Sequence, residues 1–420
     1  MTIFVSIRSY RDPELVPTLR DCFDKARWPQ DLRVGLCWQH DEADSLCAFA
    51  DDRRLRVIDV PYVESRGICW ARSQCAARYE GERFVLQLDS HHRFIKHWDA
   101  TLVDMMGLVS SRKPILTTYP PAYDPDGYLE EQPTAIGFSG FTAQGPITTM
   151  KIPMTNLAEF DAPIPSRFFA AGFSFSIGSF LEAVPPDPEL YFRGEENAMC
   201  VRAFTRGYDL FHPHRIVCWH EYGRRGKPKH WDDHVEAQTT TPWHELEIGG
   251  LARFRRLFGI DRRDSSEEFE VYGFGTSRTL RDYERYAGVH FGLQGVEEYT
   301  FHHGPPPSPI RGTDEADWKR LLWRTYRIDI DVDSHQIEEV LRGPALWILS
   351  LCRDTTVIHE YKFQVAEMAE LQRQRHSALH IQYLSREPAN GWKVTAAGAD
   401  GQQFIGNVDK MTAVNIASEL

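Results

Sequence analysis

The chain has 420 residues, of which 42% are hydrophobic, 26% charged and 12% aromatic, and its formal net charge is −12. That length calls for two or three cored units, and the composition excludes disorder and collagen-like repeats. The negative balance argues against general nucleic-acid binding, while local basic loops remain able to hold a small polyanion such as a nucleotide diphosphate.

Ile3 to Arg8 reads as a strand that begins at once, without the basic segment and long apolar run of a signal peptide, so a cytoplasmic protein is expected. A helix is predicted from Pro13 to Lys25, with Asp12 as its cap and Pro13 at its first position. Strands follow at 33–38 (RVGLCW) and 55–60 (LRVIDV), then a helix over 67–79 with Ile68, Ala71, Cys75 and Tyr79 at helical spacing. The run FVLQL (84–88) is continuously apolar, as a fully buried central strand would be. DSHHRF (89–94) comes directly after it, before another helix from about His97 to Met106. This alternation predicts a mostly parallel α/β sheet flanked by helices.

Residues 119–167 are rich in Pro, Gly and Thr with little periodicity and are expected to form long active-site loops. The longest charge-free stretch, Phe168 to Leu181, is shorter than the ~20 residues of a spanning helix and is interrupted by Gly172 and Gly178, so no membrane span is expected. A helix over 195–206, stopped by Gly207, and a strand over 215–219 (RIVCW) that presents His220 at its end complete this region. GPPPSP (304–309) is a stiff linker, which divides the chain into 1–303, a linker over 304–311, and 312–420. Alternating runs at 326–331, 346–351, 355–363, 378–384 and 392–396 make the last part a small β-rich module. The eight cysteines lack any C-x-x-C pair and read as buried free thiols.

In open α/β sheets ligands bind beyond the carboxyl ends of the strands, which singles out Asp89, Ser90 and His91. In an extended segment Asp89 and His91 share a face, so a carboxylate oxygen and an imidazole nitrogen can hold one divalent ion. Oxygen plus nitrogen ligation suits manganese better than calcium or magnesium. The plainer alternative is a turn-capping Asp beside a surface His. His92 would face the other way, and His212 and His214 compete with His220. Glu195 and Glu196 open a helix after Arg193-Gly194, where first-turn acids also serve the helix dipole. Arg66 and Arg72 flank a helix start from which a guanidinium could reach a phosphate or sugar hydroxyl, or simply face solvent. Arg224, Arg225, Lys227 and Lys229 follow His220 as either a lid over a diphosphate or a solvated loop. Asp329, Asp331 and Asp333 hint at a calcium loop, but the glycine and final glutamate of an EF-hand are missing.

Six stretches in this order, IFVSIRSYRDPEL (3–15), SRGICWARSQCA (65–76), FVLQLDSHHRF (84–94), FRGEENAMCVRAFTRGYD (192–209), CWHEYGR (218–224) and YGFGTSRTLRDYERYAGVHF (272–291), resemble glycosyltransferase family 60. These are GT-A-fold nucleotide-diphospho-sugar transferases, cytoplasmic N-acetylglucosaminyltransferases that modify hydroxyproline on a Skp-type ubiquitin-ligase subunit. The likeness covers about residues 1–300; a more distant one is to the polypeptide N-acetylgalactosaminyltransferases. It implies metal ligation by Asp89, His91 and His220, with manganese as cofactor and magnesium as the alternative. It further implies a uracil and ribose site near Arg8, Ser9 and Gln39, and donor contacts from Arg66, Arg72, Ser90 and Arg224. At least one catalytic or sugar-binding carboxylate is implied among Glu195 and Glu196, with Glu195 ranked first. The expected reaction is transfer of N-acetylglucosamine from UDP-GlcNAc to a hydroxyl acceptor, a protein hydroxyproline or a glycan, with retention of configuration. A homo-oligomer is left open. The alternative is a non-catalytic sugar-nucleotide or carbohydrate-binding protein with a degenerate GT-A core, against which the intact Asp89, His91 and His220 argue.

Overall fold

The computed structural model describes residues 2–405 apart from 126, 156–159, 224–225, 236–240, 262–268, 308–311, 313, 334–345, 364–365, 368, 370–372, 374–375 and 398–402. The chain forms two compact units: Met1–Gly288 with Tyr299–Arg311, and Val289–Glu298 with Gly312–Leu420. Residues 289–298, which the sequence boundaries keep with the first domain, pair with the second unit. Among the described residues no helix is long and apolar enough to cross a membrane.

The first unit is built on strands β1 (Ile3–Tyr10), β2 (Leu32–His40), β3 (Leu55–Pro61) and β4 (Phe84–Leu88), all parallel and in the order β3-β2-β1-β4. Both faces of β1 and β4 are covered, so their apolar residues do not alternate with polar ones: Ile3 to Ser9 and Phe84 to Leu88 are buried throughout. Helix α1 (Leu15–Lys25) makes the crossover between β1 and β2 and turns Leu15, Leu19, Cys22 and Phe23, one helical stripe, into the core. Helix α2 (Ile68–Ala76) returns the chain from β3 to β4. It starts at Gly67, whose φ of 96° and whose approach to the Tyr191 ring, 2.5 Å from where a Cβ would stand, both require glycine.

Beyond β4 come β5 (His92–Phe94), α3 (Trp98–Gly107) and β6 (Pro114–Thr117), and a hairpin of β7 (Thr134–Phe141) and β8 (Ile147–Pro153). These are followed by β9 (Ile164–Pro165), β10 (Phe173–Ile177), a short α4 (Phe180–Ala183), α5 (Glu195–Thr205), β11 (Asp209–His212), β12 (Cys218–His220), a short α6 (His230–Asp233), α7 (Trp243–Leu257) and α8 (Leu280–Ala287). The main sheet continues as β4-β10-β6-β11-β9. β10 is antiparallel to both neighbours, so β4 and β6 point the same way and the start of β10 lies at their carboxyl ends. This is the mostly parallel α/β sheet flanked by helices that the sequence leads one to expect.

Two expectations are corrected. Residues 119–167 are not all loop: they contain the β7–β8 hairpin, whose alternation is blurred by Gly137, Gly140 and a bulge between Phe138 and Gly140. The strand expected at 215–219 is Cys218–His220, paired with β5 outside the main sheet, and the sheet strand is β11. The stretch before residue 303 holds α7 and α8, α8 opened by a capping box at Thr279 and Asp282. All eight cysteines are free and only Cys47 is exposed.

The second unit holds two four-stranded sheets built from β13 (Val289–His290), β14 (Gly295–Val296), β15 (Trp323–Asp333), β16 (Leu346–Arg353), β17 (Thr356–Lys362), β18 (His376–Ser385), β19 (Gly391–Ala397) and β20 (Gln403–Ile405). Their orders are β13-β14-β15-β18 and β17-β16-β19-β20. Alternate residues, Tyr326, Ile328 and Ile330 on β15 and Trp347, Leu349 and Leu351 on β16, form its core. Four of the five runs predicted at 326–396 fall inside these strands, and the run at 355–363 overhangs β17 by one residue at each end.

Candidate active site

The parallel ends of β1, β2 and β4 place Arg8, Ser9, Gln39 and Asp89 along one edge of the sheet. The loop after β4 carries His91, and the β5–β12 ribbon sets His220 directly opposite His92. Ligand atoms of Asp89, His91 and His220 lie within 4.8 Å of one another. Oδ2 of Asp89 is 3.0 Å from His220 Nε2 and 3.8 Å from His91 Nε2. The other oxygen, Oδ1, pairs with the guanidinium of Arg8, which also donates to Leu88 O at 2.5 Å. Burial and then the nearby Arg72 lower the Arg8 pKa. The residue just before β10 is a glycine: a Cβ at Gly172 would stand 3.1 Å from Asp89 Oδ2.

The sequence expects Asp12 to cap the helix and Pro13 to open it, but α1 starts at Leu15 with Glu14 at its N-cap, and Asp12 serves the site instead. Its Oδ1 accepts from Glu14 N, but Oδ2 accepts from Ser90 Oγ at 2.6 Å and from His91 Nδ1 at 2.7 Å, with the carboxylate fully buried. The bond to Nδ1 turns Nε2 of His91 toward Asp89 and His220, the carboxylate–histidine arrangement that orients metal ligands. The Ser9-Tyr10-Arg11-Asp12 segment leaving the first strand is the available signal; nothing local separates it from a cap.

Two cavities meet at this point and share Arg8, Ile68, Asp89 and Phe192. The first, about 230 Å³, is lined by Tyr10, Gln39, Ser90, His91, Tyr191, Lys229, His230 and Trp231. Gln39 is buried, donating to Ser9 O and accepting from Ser65 Oγ. Tyr10 reaches Asp233 at 2.8 Å, which ties the end of β1 to α6. His230 accepts or donates at Tyr191 Oη, 2.7 Å away, and stacks on His234 at 3.9 Å; burial and then His234 push its pKa down to about 4.

The second cavity, about 440 Å³, is lined by Tyr119, Thr149, Glu195, Glu196, Asn197, His220 and Tyr222 among others. The two glutamates have different surroundings. Glu195 is buried and ion-paired with buried Arg72, so these two predicted site residues hold each other. Glu196 is half-buried, accepting from Tyr119 Oη at 2.7 Å and from Ala171 N at 2.8 Å. Tyr119 also meets Thr149 Oγ1 at 2.6 Å, and burial followed by Glu196 raises its phenol pKa.

Ser9 is buried beside Gln39, and Arg66 is exposed with its guanidinium 5.9 Å from the Trp70 ring. Arg224 and Arg225 lie outside the described residues, while Lys227 pairs with Glu221. His92 is fully buried, its ring 5.0 Å from that of His220, and burial lowers its pKa well below the usual range. His212 is turned to Thr117 O, away from the cluster. Tyr10, Tyr119, Tyr191, Tyr222 and Trp231 were not singled out from sequence; Tyr119 follows a strand end, the one signal that could have found it.

The family described as "Glycosyltransferase (GlcNAc)" matches residues 2–54 and 48–292. No curated protein matches the sequence. Among solved structures, GalNAc-T7 with UDP, GalNAc and Mn2+ is 13% identical at a TM-score of 0.48, over 98% of this chain and 72% of that one. S. aureus TarS 1-349 is 12% identical at 0.37, over 68% and 78%. The mannosyltransferase PcManGT from Pyrobaculum calidifontis, in complex with GDP-Man and Mn2+, is 14% identical at 0.33, over 60% and 69%.

Proposed function

The chain belongs to the GlcNAc glycosyltransferase family, and from that membership we propose that it moves N-acetylglucosamine from UDP-GlcNAc to a hydroxyl acceptor with the help of a divalent cation. The observation that carries this reading is the convergence of Asp89, His91 and His220 where two cavities meet. One oxygen and two imidazole nitrogens within 4.8 Å fit a divalent transition-type ion, with manganese first and magnesium as the alternative. Such an ion, when bound, supplies Lewis-acid neutralisation of the charge that develops on a diphosphate leaving group.

The chain's own residues divide the remaining work. Arg8 holds Asp89 and adds a fixed positive charge beside the diphosphate position. Gln39, Ser9 and the rings of Tyr10, His230 and Trp231 suit a planar base and its ribose in the first cavity. Glu196, held by Tyr119 and Ala171 N, is the carboxylate left facing the second cavity and orients the acceptor hydroxyl or the sugar; Glu195 neutralises Arg72. The acceptor is a hydroxyproline of a protein or a glycan hydroxyl, transfer retains configuration, and the first unit carries the whole chemical step.

The test is UDP release with manganese across UDP-GlcNAc, UDP-glucose, UDP-galactose and GDP-mannose. UDP-GlcNAc should be turned over fastest, chelation should stop it, and Asp89→Asn or His220→Ala should lower it by about 10²-fold or more, in line with the several kcal/mol such an ion supplies. A preference for GDP-mannose, or wild-type turnover by folded Asp89→Asn, overturns the reading.

A further inference from the structure

Arg11 is the first residue beyond β1, and its backbone stands at φ 43°, in the left-handed region that strains any residue carrying a side chain. Glycine would adopt it freely. The contacts of the arginine side chain offset the strain. Its guanidinium donates from Nη1 to Asp233 Oδ2 and from Nη2 to Asp41 Oδ2, both at 2.9 Å, and lies 4.4 Å from the centroid of the Tyr62 ring. Its backbone N donates to Gln39 O at 2.8 Å. One residue thus joins the end of β1 to the residue after β2, the residue after β3, and α6.

Helix α6 depends on such joins. With four residues it is too short to hold its own turn, so side-chain bonds must dock it. Asp233 Oδ2 accepts from Tyr10 Oη at 2.8 Å as well as from Arg11, and His230 Nε2 donates to Ser65 O at 3.3 Å. His234, just after the helix, donates from Nε2 to Tyr62 O at 3.0 Å. Among these bonds the one from Arg11 to Asp233 joins opposite charges, which makes it the strongest. The segment it holds supplies Lys229, His230 and Trp231 to the 230 Å³ cavity.

We infer that Arg11 and Asp233 are positioning residues for the donor, a latch that sets α6 as the wall against which the nucleotide binds. The inference rests on the reading of that cavity as the donor site. Neither residue lines the cavity; both act through Tyr10, His230 and Trp231, which do. A wall that meets bound donor, transition state and released UDP alike contributes uniform binding, so loosening it raises KM and leaves kcat unchanged.

Asp233→Asn and Arg11→Gln in the full-length chain test this, with circular dichroism and thermal unfolding to report folding. Each should raise KM for UDP-GlcNAc with manganese, and the calorimetric Kd of UDP, by about tenfold, the scale of one charged hydrogen bond. The double variant should bind no more weakly than the weaker single variant, because both changes remove the same contact. Manganese affinity without nucleotide should stay at the wild-type value, since Asp89, His91 and His220 are untouched. If Asp233→Asn does not fold, Arg11→Gln, at a side chain that is 23% exposed, carries the test. Failure of the wild type to bind UDP overturns the donor reading and this inference with it. UDP binding by the wild type that is undiminished in the folded variants, a fall in kcat alone, losses that add fully in the double variant, or weakened manganese binding overturns the latch alone.

Discussion

His91 donates from Nδ1 to Oδ2 of Asp12 at 2.7 Å, and this bond joins the chain leaving β1 to the chain leaving β4. Because Ser90 Oγ donates to the same oxygen at 2.6 Å, the whole turn after β4 is anchored on one buried carboxylate. The anchoring leaves Nε2 of His91 as the nitrogen that faces Asp89 and His220.

Replacing Asp12 by Asn keeps the size of the side chain but weakens its acceptance from His91. Metal affinity should drop about 10–100-fold, the usual cost of losing the partner that orients a ligating imidazole. Manganese titration followed by electron paramagnetic resonance, with UDP present, measures it. Wild-type affinity in a folded variant would remove this role from Asp12.

The Arg72–Glu195 pair tests whether Glu195 supports the fold or the chemistry. Glu195→Gln leaves a buried guanidinium without its counter-charge and should destabilise by about 3–5 kcal/mol, whereas Arg72→Met with Glu195→Leu together should recover much of that. Urea unfolding of the single and double variants decides it. A Glu195→Gln protein of unchanged stability but lost turnover would instead make Glu195 catalytic.

Acid should loosen the wall of the first cavity. An unfolded-chain histidine titrates near 6.5, while His230 is pushed down to about 4 by burial and His234, with Ser65 O and Asp233 acting the other way. The unfolded chain therefore takes up the proton first as pH falls. The contribution of neutral His230 is complete above about pH 6.5 and is lost as pH drops through about 4. His212, likewise near 4, adds in the same window. Urea midpoints between pH 7 and 4 should fall less steeply in His230→Gln than in the wild type; parallel slopes would count against it.

A chain ending at residue 307 should fold and hydrolyse UDP-GlcNAc at the full-length rate, since every residue assigned to the donor, the cation and the acceptor hydroxyl precedes residue 235. Transfer to the natural acceptor can fall independently if the second unit recruits it. Loss of donor hydrolysis in a folded, monodisperse short chain would show that the second unit is needed at the active site.

The sequence by itself determined the buried parallel strands and the residues at their ends. A run such as FVLQL announces burial on both faces, and Asp89, Ser90 and His91 follow from it over a few residues of chain. What only the tertiary structure decided involves partners far apart. Asp12 meets His91 across 79 positions, His220 meets Asp89 across 131, and Arg72 and Glu195 cancel across 123. The β7–β8 hairpin and β11 were hidden for a related reason: glycines blur the alternation of β7, and the four residues of β11 become a strand only by pairing with β6. Local propensity acts over a turn or two. Which carboxylate holds an imidazole and which pairs with an arginine is set by burial and by competition for partners, and those exist only once the sheet has formed.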